Sequence, residues 1–232
     1  MSLDSPALWL ALIQIIWINI LLSGDNAVVI AMACRSLPEK TRKWGIITGA
    51  GVAVGLRILF TGIVATLLAL PWLKLIGSLA LMYIAVDLAL PDDGGEETVE
   101  ASESLWKAVG TVAVADIVMS LDNVVAVAAV ADGSWLLLGL GLAISIPLII
   151  AGSSLVMAVL DRFPFLVWAG AALLGWVAGE MLLTDVAVTD RIGGVEVAHH
   201  WEYPVAALSA LLVVGIAYGV GRLRKAKAHS DA

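Results

Sequence analysis

Apolar residues run along this chain in seven stretches, near 7–34, 45–70, 72–90, 105–131, 134–160, 164–186 and 203–222, separated by short polar joints. A helix crosses the hydrocarbon core of a bilayer with roughly 20 apolar residues, and each stretch meets or nearly meets that length. Lipid offers no partner for backbone N–H and C=O groups, so a spanning segment must be a helix or part of a closed barrel. The alternating strands of a barrel are absent, which leaves helices. The pattern therefore predicts an all-α polytopic membrane protein with seven transmembrane helices. Ala31-Met32-Ala33 before Cys34 mimics a signal-peptide cleavage site. Nothing basic precedes that stretch, its apolar run is too long and basic residues follow it, so it is read as a span.

The polar positions inside the spans repeat. Asn19, Ser23, Asp25 and Asn26 of the first stretch recur 97 residues later as Asp116, Ser120, Asp122 and Asn123 of the fourth. Gly49, Gly51, Ala53 and Gly62 recur at an offset of 90 as Gly139, Gly141, Ala143 and Gly152, and Pro71, Gly77 and Asp87 recur at 93 as Pro164, Gly170 and Glu180. Small residues also let membrane helices approach closely, which by itself explains many glycines, so the polar matches carry the repeat. Two units with an odd number of spans must insert in opposite senses, giving the inverted repeats of secondary transporters with a site at the repeat interface. The expected layout is a first three-helix repeat over 7–90, an acidic cytoplasmic linker over 91–104 and a second, inverted repeat over 105–186. An external loop over 187–202, an unpaired seventh helix over 203–222 and a basic cytoplasmic tail over 223–232 complete it.

Composition agrees with the pattern: 61% of residues are hydrophobic and only 14% charged, well outside the range of a soluble domain. The net charge of −7 is spread between loops and spans and points to no nucleic-acid partner. The single cysteine, Cys34, makes no internal disulfide and is read as a small packing residue. Arg35, Lys40, Arg42, Lys43, Lys107, Arg162, Arg222, Arg224, Lys225 and Lys227 all fall on one side of a seven-span layout, against Lys74 and Arg191 on the other. The positive-inside rule then puts the N-terminus outside and the C-terminus in the cytoplasm. Trp9, Trp44, Trp72, Trp106, Trp135 and Trp201 stand near span ends as interfacial anchors.

Ionisable groups at membrane depth are the candidate chemistry, because each costs at least roughly 2.5–3.5 kcal/mol to insert. Residues at i, i+4 and i+7 share a helix face, so Asn19, Ser23 and Asn26 line one stripe and Asp116, Ser120 and Asn123 another. Asp25 and Asn26 diverge by about 100° on an ideal helix, which calls for a wide polar face or local unwinding; Gly24 favours unwinding in the first copy and Leu121 opposes it in the second. Carboxylates, carboxamide oxygens and hydroxyls form an all-oxygen set suited to a hard divalent cation such as Mg²⁺, Ca²⁺ or Mn²⁺. Asp25, Asp116 and Asp122 against Arg57 leave a formal charge of −2 that such an ion neutralises. The bland alternatives are helix cross-linking by hydrogen bonds for the paired motifs, and a structural ion pair for Asp116 with Arg57. Asp87 and Glu180 read as relays or as solvated ends. His199 and His200, with Asp190, Glu196 and Glu202, read as external metal capture or as an ordinary loop.

The runs Ser-Gly-Asp25-Asn26-Ala-Val-Val and Ser-Leu-Asp122-Asn123-Val-Val, with Arg57 in Gly-Leu-Arg-Ile-Leu-Phe and the seven-span layout, resemble the TerC family of bacterial integral membrane proteins, in particular its YjbE-like branch. The resemblance covers residues 7–222 and implies export of metal ions, chiefly manganese, across the cytoplasmic membrane. It puts the acidic transport residues on Asp25 and Asp122, with Asn26 and Asn123 beside them. The working expectation is thus a secondary transporter and not an enzyme: no cofactor, a divalent cation as cargo, the bilayer as environment, Arg57, Asn19, Asp87 and Glu180 as counter-ion or relays, and self-association left open. Four other readings fit the same residues: a Ca²⁺/H⁺ exchanger, an exporter of another small solute, a membrane partner that hands metal to exported enzymes, and an intramembrane aspartic protease. The last would need a Gly-x-Gly-Asp motif, and Leu22-Ser23-Gly24-Asp25 has only its second glycine.

Overall fold

A computed structural model describes residues 13, 14, 17, 24–61, 70–90, 101–131 and 135–230; the side chains at 61, 101–103, 122–131, 135–138, 141, 225 and 227–230 lie outside that description. Among the described residues there are eight α-helices: α1 Gly24–Cys34, α2 Glu39–Thr61, α3 Leu73–Ala89, α4 Ala101–Ala131, α5 Trp135–Arg162, α6 Leu166–Leu183, α7 Val186–Ile192 and α8 Val195–Ser230. Five of them, α2, α4, α5, α6 and α8, are long and apolar enough to cross a membrane. Leu59, Tyr83, Leu155, Leu208 and Leu211 turn outward and are exposed. Large apolar side chains facing out on helices this apolar are what a lipid solvent favours.

The chain divides into two compact units, Met1–Leu68 with Glu100–Val159, and Ala69–Val99 with Leu160–Ala232. Each draws on both halves of the sequence. In the first unit α4 packs against α2 and α1. Gly49 lies against Val112 of α4, and Gly152 of α5 against Ala27 of α1; a Cβ at either glycine would sit 3.6 Å from its neighbour, an ordinary packing distance. Cys34 is buried at the end of α1.

In the second unit α6 is clasped between α3 and α8. The contact with α8 is tight enough to require glycine, since a Cβ on Gly179 would lie 2.6 Å from the Ala206 Cα and one on Gly175 2.9 Å from the Ala210 Cα. The turn from α7 to α8 is made by Gly193 and Gly194, both at positive φ (109° and 101°). The Gly194 N–H bonds back to the Thr189 carbonyl at 2.9 Å, closing α7 with a Schellman-type cap that only glycine accommodates freely.

The helix boundaries refine the sequence reading. The second helix begins six residues earlier than the apolar stretch, at Glu39, where the basic residues continue the helix into the interface. The segment 187–202, expected as a loop, is helical in α7 and in the first turns of α8, and the tail expected from 223 is helical to Ser230. Pro204 does not stop α8, because an internal proline forfeits one backbone bond and in membrane helices neighbouring groups compensate. His199 and His200 therefore sit on a helix and are exposed, with His199 Nδ1 2.8 Å from Glu202 Oε2. No cluster of three His, Cys, Asp or Glu side chains poised for a metal occurs among the described residues.

Candidate functional site

The polar centre of the first unit is built by α1, α2 and α4. Arg57 projects from the C-terminal turns of α2 and is 2% exposed, yet it is charged and long. Its Nη2 donates to Asp116 Oδ1 at 2.8 Å, and its Nε donates to Ser120 Oγ at 3.2 Å. Ser120 in turn donates to Asp116 Oδ2 at 3.2 Å, across one turn of α4. The three groups form a closed ring. Its closure follows from sequence spacing: Asp116 and Ser120 stand at i and i+4, so both face the same neighbour. The guanidinium fork then spans the carboxylate and the hydroxyl together.

Beside this ring a narrow cleft is lined by Asn26, Val29, Ile30, Ala53, Val112 and Asp116, with no room for a water molecule. Asn26 enters from α1 and is buried. Asp25, half-buried next to it, accepts the Asn26 backbone N–H at 2.8 Å, a bond that occupies one of the donors left over at a helix start. Asp25 is within electrostatic reach of the ring: Arg57 attracts its charge and Asp116 repels it. The first motif and the aligned polar residues of α4 thus meet in one unit. Arg57 and Asp116 form a buried ion pair, with Nη2 2.8 Å from Oδ1.

A sequence model described as the integral membrane protein TerC family matches residues 4–228. The chain belongs to the TerC family. Among the relatives of this TerC protein are three membrane proteins of Bacillus subtilis (strain 168), each described as uncharacterized. YjbE is 42% identical over 76% of this chain and 80% of its own length. YceF is 25% identical over 93% and 82%, and YkoY 26% identical over 78% and 62%. No solved structure matches. The TerC protein is a multi-pass integral membrane protein, consistent with a membrane transporter.

The remaining sequence candidates divide into two groups. Asn19 and Ser23, and the side chains of Asp122 and Asn123, lie outside the described residues; the α4 backbone is helical without a break through 122 and 123. The other two carboxylates fall in the second unit of the TerC protein: Asp87 is exposed near the end of α3, and Glu180, partly buried on α6, accepts the Trp176 indole N–H at 2.6 Å.

Sequence reasoning passed over Asp185. Its side chain is 1% exposed and collects backbone N–H groups from Trp72 and Ala187 on Oδ1, at 3.1 and 2.9 Å, and from Lys74 and Leu75 on Oδ2, at 3.1 and 3.2 Å. Burial pushes its carboxyl up, but the N–H groups of Leu75, Trp72, Ala187 and Val188 outweigh burial and hold it below its ordinary 3.8. One carboxylate caps two helices, α7 at its own N-terminus and α3 across the fold, where Trp72 has no capping side chain and a left-handed φ of 71°. Arg191 stacks on Trp72 at 4.3 Å and covers the joint. An aspartate directly before an apolar helical run is an N-cap signal that could have found the first role.

Proposed function

We propose that this TerC protein is a secondary transporter that exports divalent metal cations, Mn²⁺ first among them, by alternating exposure of a pseudo-symmetric Asp/Asn site. The observation that carries the reading is the polar centre of the first unit, where Asn26 of α1, bonded through its backbone to Asp25, lines a cleft with Asp116 beside the charged pair of α2 and α4 inside otherwise apolar helices. Charges kept at membrane depth are costly to insert and mark transport pathways more often than they serve packing. The cargo contacts we assign are Asp25, Asn26, Asp122 and Asn123, an all-oxygen set that suits a hard cation.

Seven spans in two inverted three-helix repeats complete the proposal. In its support, α3 shifted by 93 residues falls on 166–182, beside the observed α6 at Leu166–Leu183. Both compact units contain corresponding helices from the two halves, as an intertwined repeat would give. With that topology the basic residues put the C-terminus in the cytoplasm and the N-terminus outside, in the bacterial cytoplasmic membrane.

The test is ⁵⁴Mn²⁺ flux into proteoliposomes carrying the purified protein, with Asp25→Asn and Asp122→Asn variants and with Ca²⁺, Mg²⁺ and Zn²⁺ as competitors. Flux that collapses in both variants is expected, and the order of competition names the cargo. Normal flux in both variants would overturn the assignment, and a site that prefers Ca²⁺ would move it to calcium exchange.

A further inference from the structure

A hydroxyl on a helix has a ready partner in the carbonyl four residues back. Thr48 donates to the Trp44 carbonyl at 2.6 Å, Thr111 to that of Lys107 at 3.1 Å and Ser154 to that of Ile150 at 2.7 Å. Ser153, next to Ser154 on α5, does otherwise. Its side chain is fully buried, at 0% exposure, and its Oγ has no hydrogen-bond partner among the described residues. A buried hydroxyl without a partner costs stability and calls for a reason.

Its place in the first unit supplies one. Ser153 lies on the buried stripe of α5 with Leu142, Ile149 and Met157, so it is turned into the unit. The residue before it, Gly152, packs on Ala27 of α1, where a glycine Cβ would lie 3.6 Å from the Ala27 Cβ. Ala27 directly follows Asn26, which lines the cleft with Asp116, and successive positions on a helix are only about 100° apart. α5 therefore covers α1 at the level of the Asp25-Asn26 motif and carries one more oxygen there.

We propose that Ser153 is a further ligand of the transported cation, its hydroxyl oxygen contacting the divalent ion as it passes between α1 and α5. The proposal rests on the export reading above and adds α5 to the helices that hold cargo. A hard divalent ion takes six or more oxygen ligands, neutral ones among them. A hydroxyl supplies such an oxygen without placing another charge at membrane depth. If Ser153 served only close packing beside Gly152, alanine, which is no larger, would replace it without effect on the cation.

The experiment measures equilibrium binding of ⁵⁴Mn²⁺ and of Cd²⁺ to the purified full chain in detergent, for the parent, Ser153→Ala, Ser153→Cys and Asp25→Asn, with circular dichroism and gel filtration as checks of fold. Ser153→Ala is expected to weaken Mn²⁺ binding roughly tenfold. Ser153→Cys, close in shape, exchanges a hard oxygen for a soft sulfur. Its Mn²⁺ binding should weaken by a similar factor while Cd²⁺ binding tightens. A sulfur-to-cadmium charge-transfer band should also appear in the ultraviolet, beyond anything given by the parent, whose Cys34 serves as the control. Unchanged Mn²⁺ affinity in folded Ser153→Ala, or equal loss of both ions without a new band in Ser153→Cys, would overturn the proposal. Should Ser153→Ala not fold, Ser153→Cys decides alone. Mn²⁺ binding that Asp25→Asn leaves intact counts against the export site and not against the Ser153 contact, whereas a parent that binds neither ion overturns both.

Discussion

Among the described residues, each compact unit of this TerC protein buries one carboxylate almost completely, and the two are held in different ways. Asp116, 4% exposed, is held by side chains, the Arg57 guanidinium and the Ser120 hydroxyl. Asp185, 1% exposed, is held by four backbone N–H groups at the starts of two helices. Side-chain partners can be exchanged by mutation, so Asp116 belongs to a polar cluster that a second substitution can rebalance. Backbone donors are fixed to the helices that own them, so Asp185 belongs to the architecture. The same chemical group thus pairs with a buried guanidinium in one unit and fastens helix ends in the other.

The strongest way to break this comparison is to delete each carboxylate and ask whether a second substitution repairs the damage. Asp116→Leu leaves the buried Arg57 charge without its carboxylate and should cost about 3–5 kcal/mol, most of it recovered in the Arg57→Met/Asp116→Leu pair. Thermal unfolding in detergent checks both, and absence of recovery would mean that the ring is not a closed unit.

Asp185→Ala should cost about 3 kcal/mol, because two helix starts lose their acceptor at once, and no partner substitution can repair it. Its pH dependence sharpens the same point. The folded carboxyl titrates below its ordinary 3.8, so its stabilisation is fully present above that value and is lost as pH falls through the folded one. The midpoint advantage of the parent over Asp185→Asn should therefore be constant from neutral pH down to about 5 and shrink only under stronger acid. An advantage that fades between pH 7 and 5 would show that the backbone donors do not hold the charge.

Gly179→Ala tests whether the second unit is as rigid as its capping suggests. Its new Cβ would meet the Ala206 Cα at 2.6 Å and the Ser209 Oγ at 2.8 Å, and forcing α6 from α8 should cost about 1–3 kcal/mol. Gly51→Ala, in open space on α2, should leave the melting midpoint unchanged or slightly raised.

Much of the architecture was legible along the chain. Apolar length located the five long helices α2, α4, α5, α6 and α8, since in lipid a long apolar run has few other ways to satisfy its backbone, but it did not find the short α7. Boundaries were less legible where polar residues continue a helix beyond the bilayer, as at Glu39 and at the two ends of α8. Of the site, Arg57 could be singled out as buried because it is the one basic residue in mid-span, and Asp25, Asn26, Asp116 and Ser120 because polar positions repeat at a fixed offset. Asp185 was missed because its partners are backbone groups, and a backbone N–H carries no sequence signature.

The sequence by itself determined that this is a helical membrane protein of the TerC family, and which polar residues interrupt its apolar stretches. Hydropathy and spacing are local properties and survive without a fold. Which of those residues meet was decided only by tertiary structure. Arg57 reaches Asp116 and Ser120 from 59 and 63 residues away, and Asp185 caps a helix that starts more than 110 residues before it. Pairing at such separations depends on how helices pack, and packing is set by many weak contacts at once.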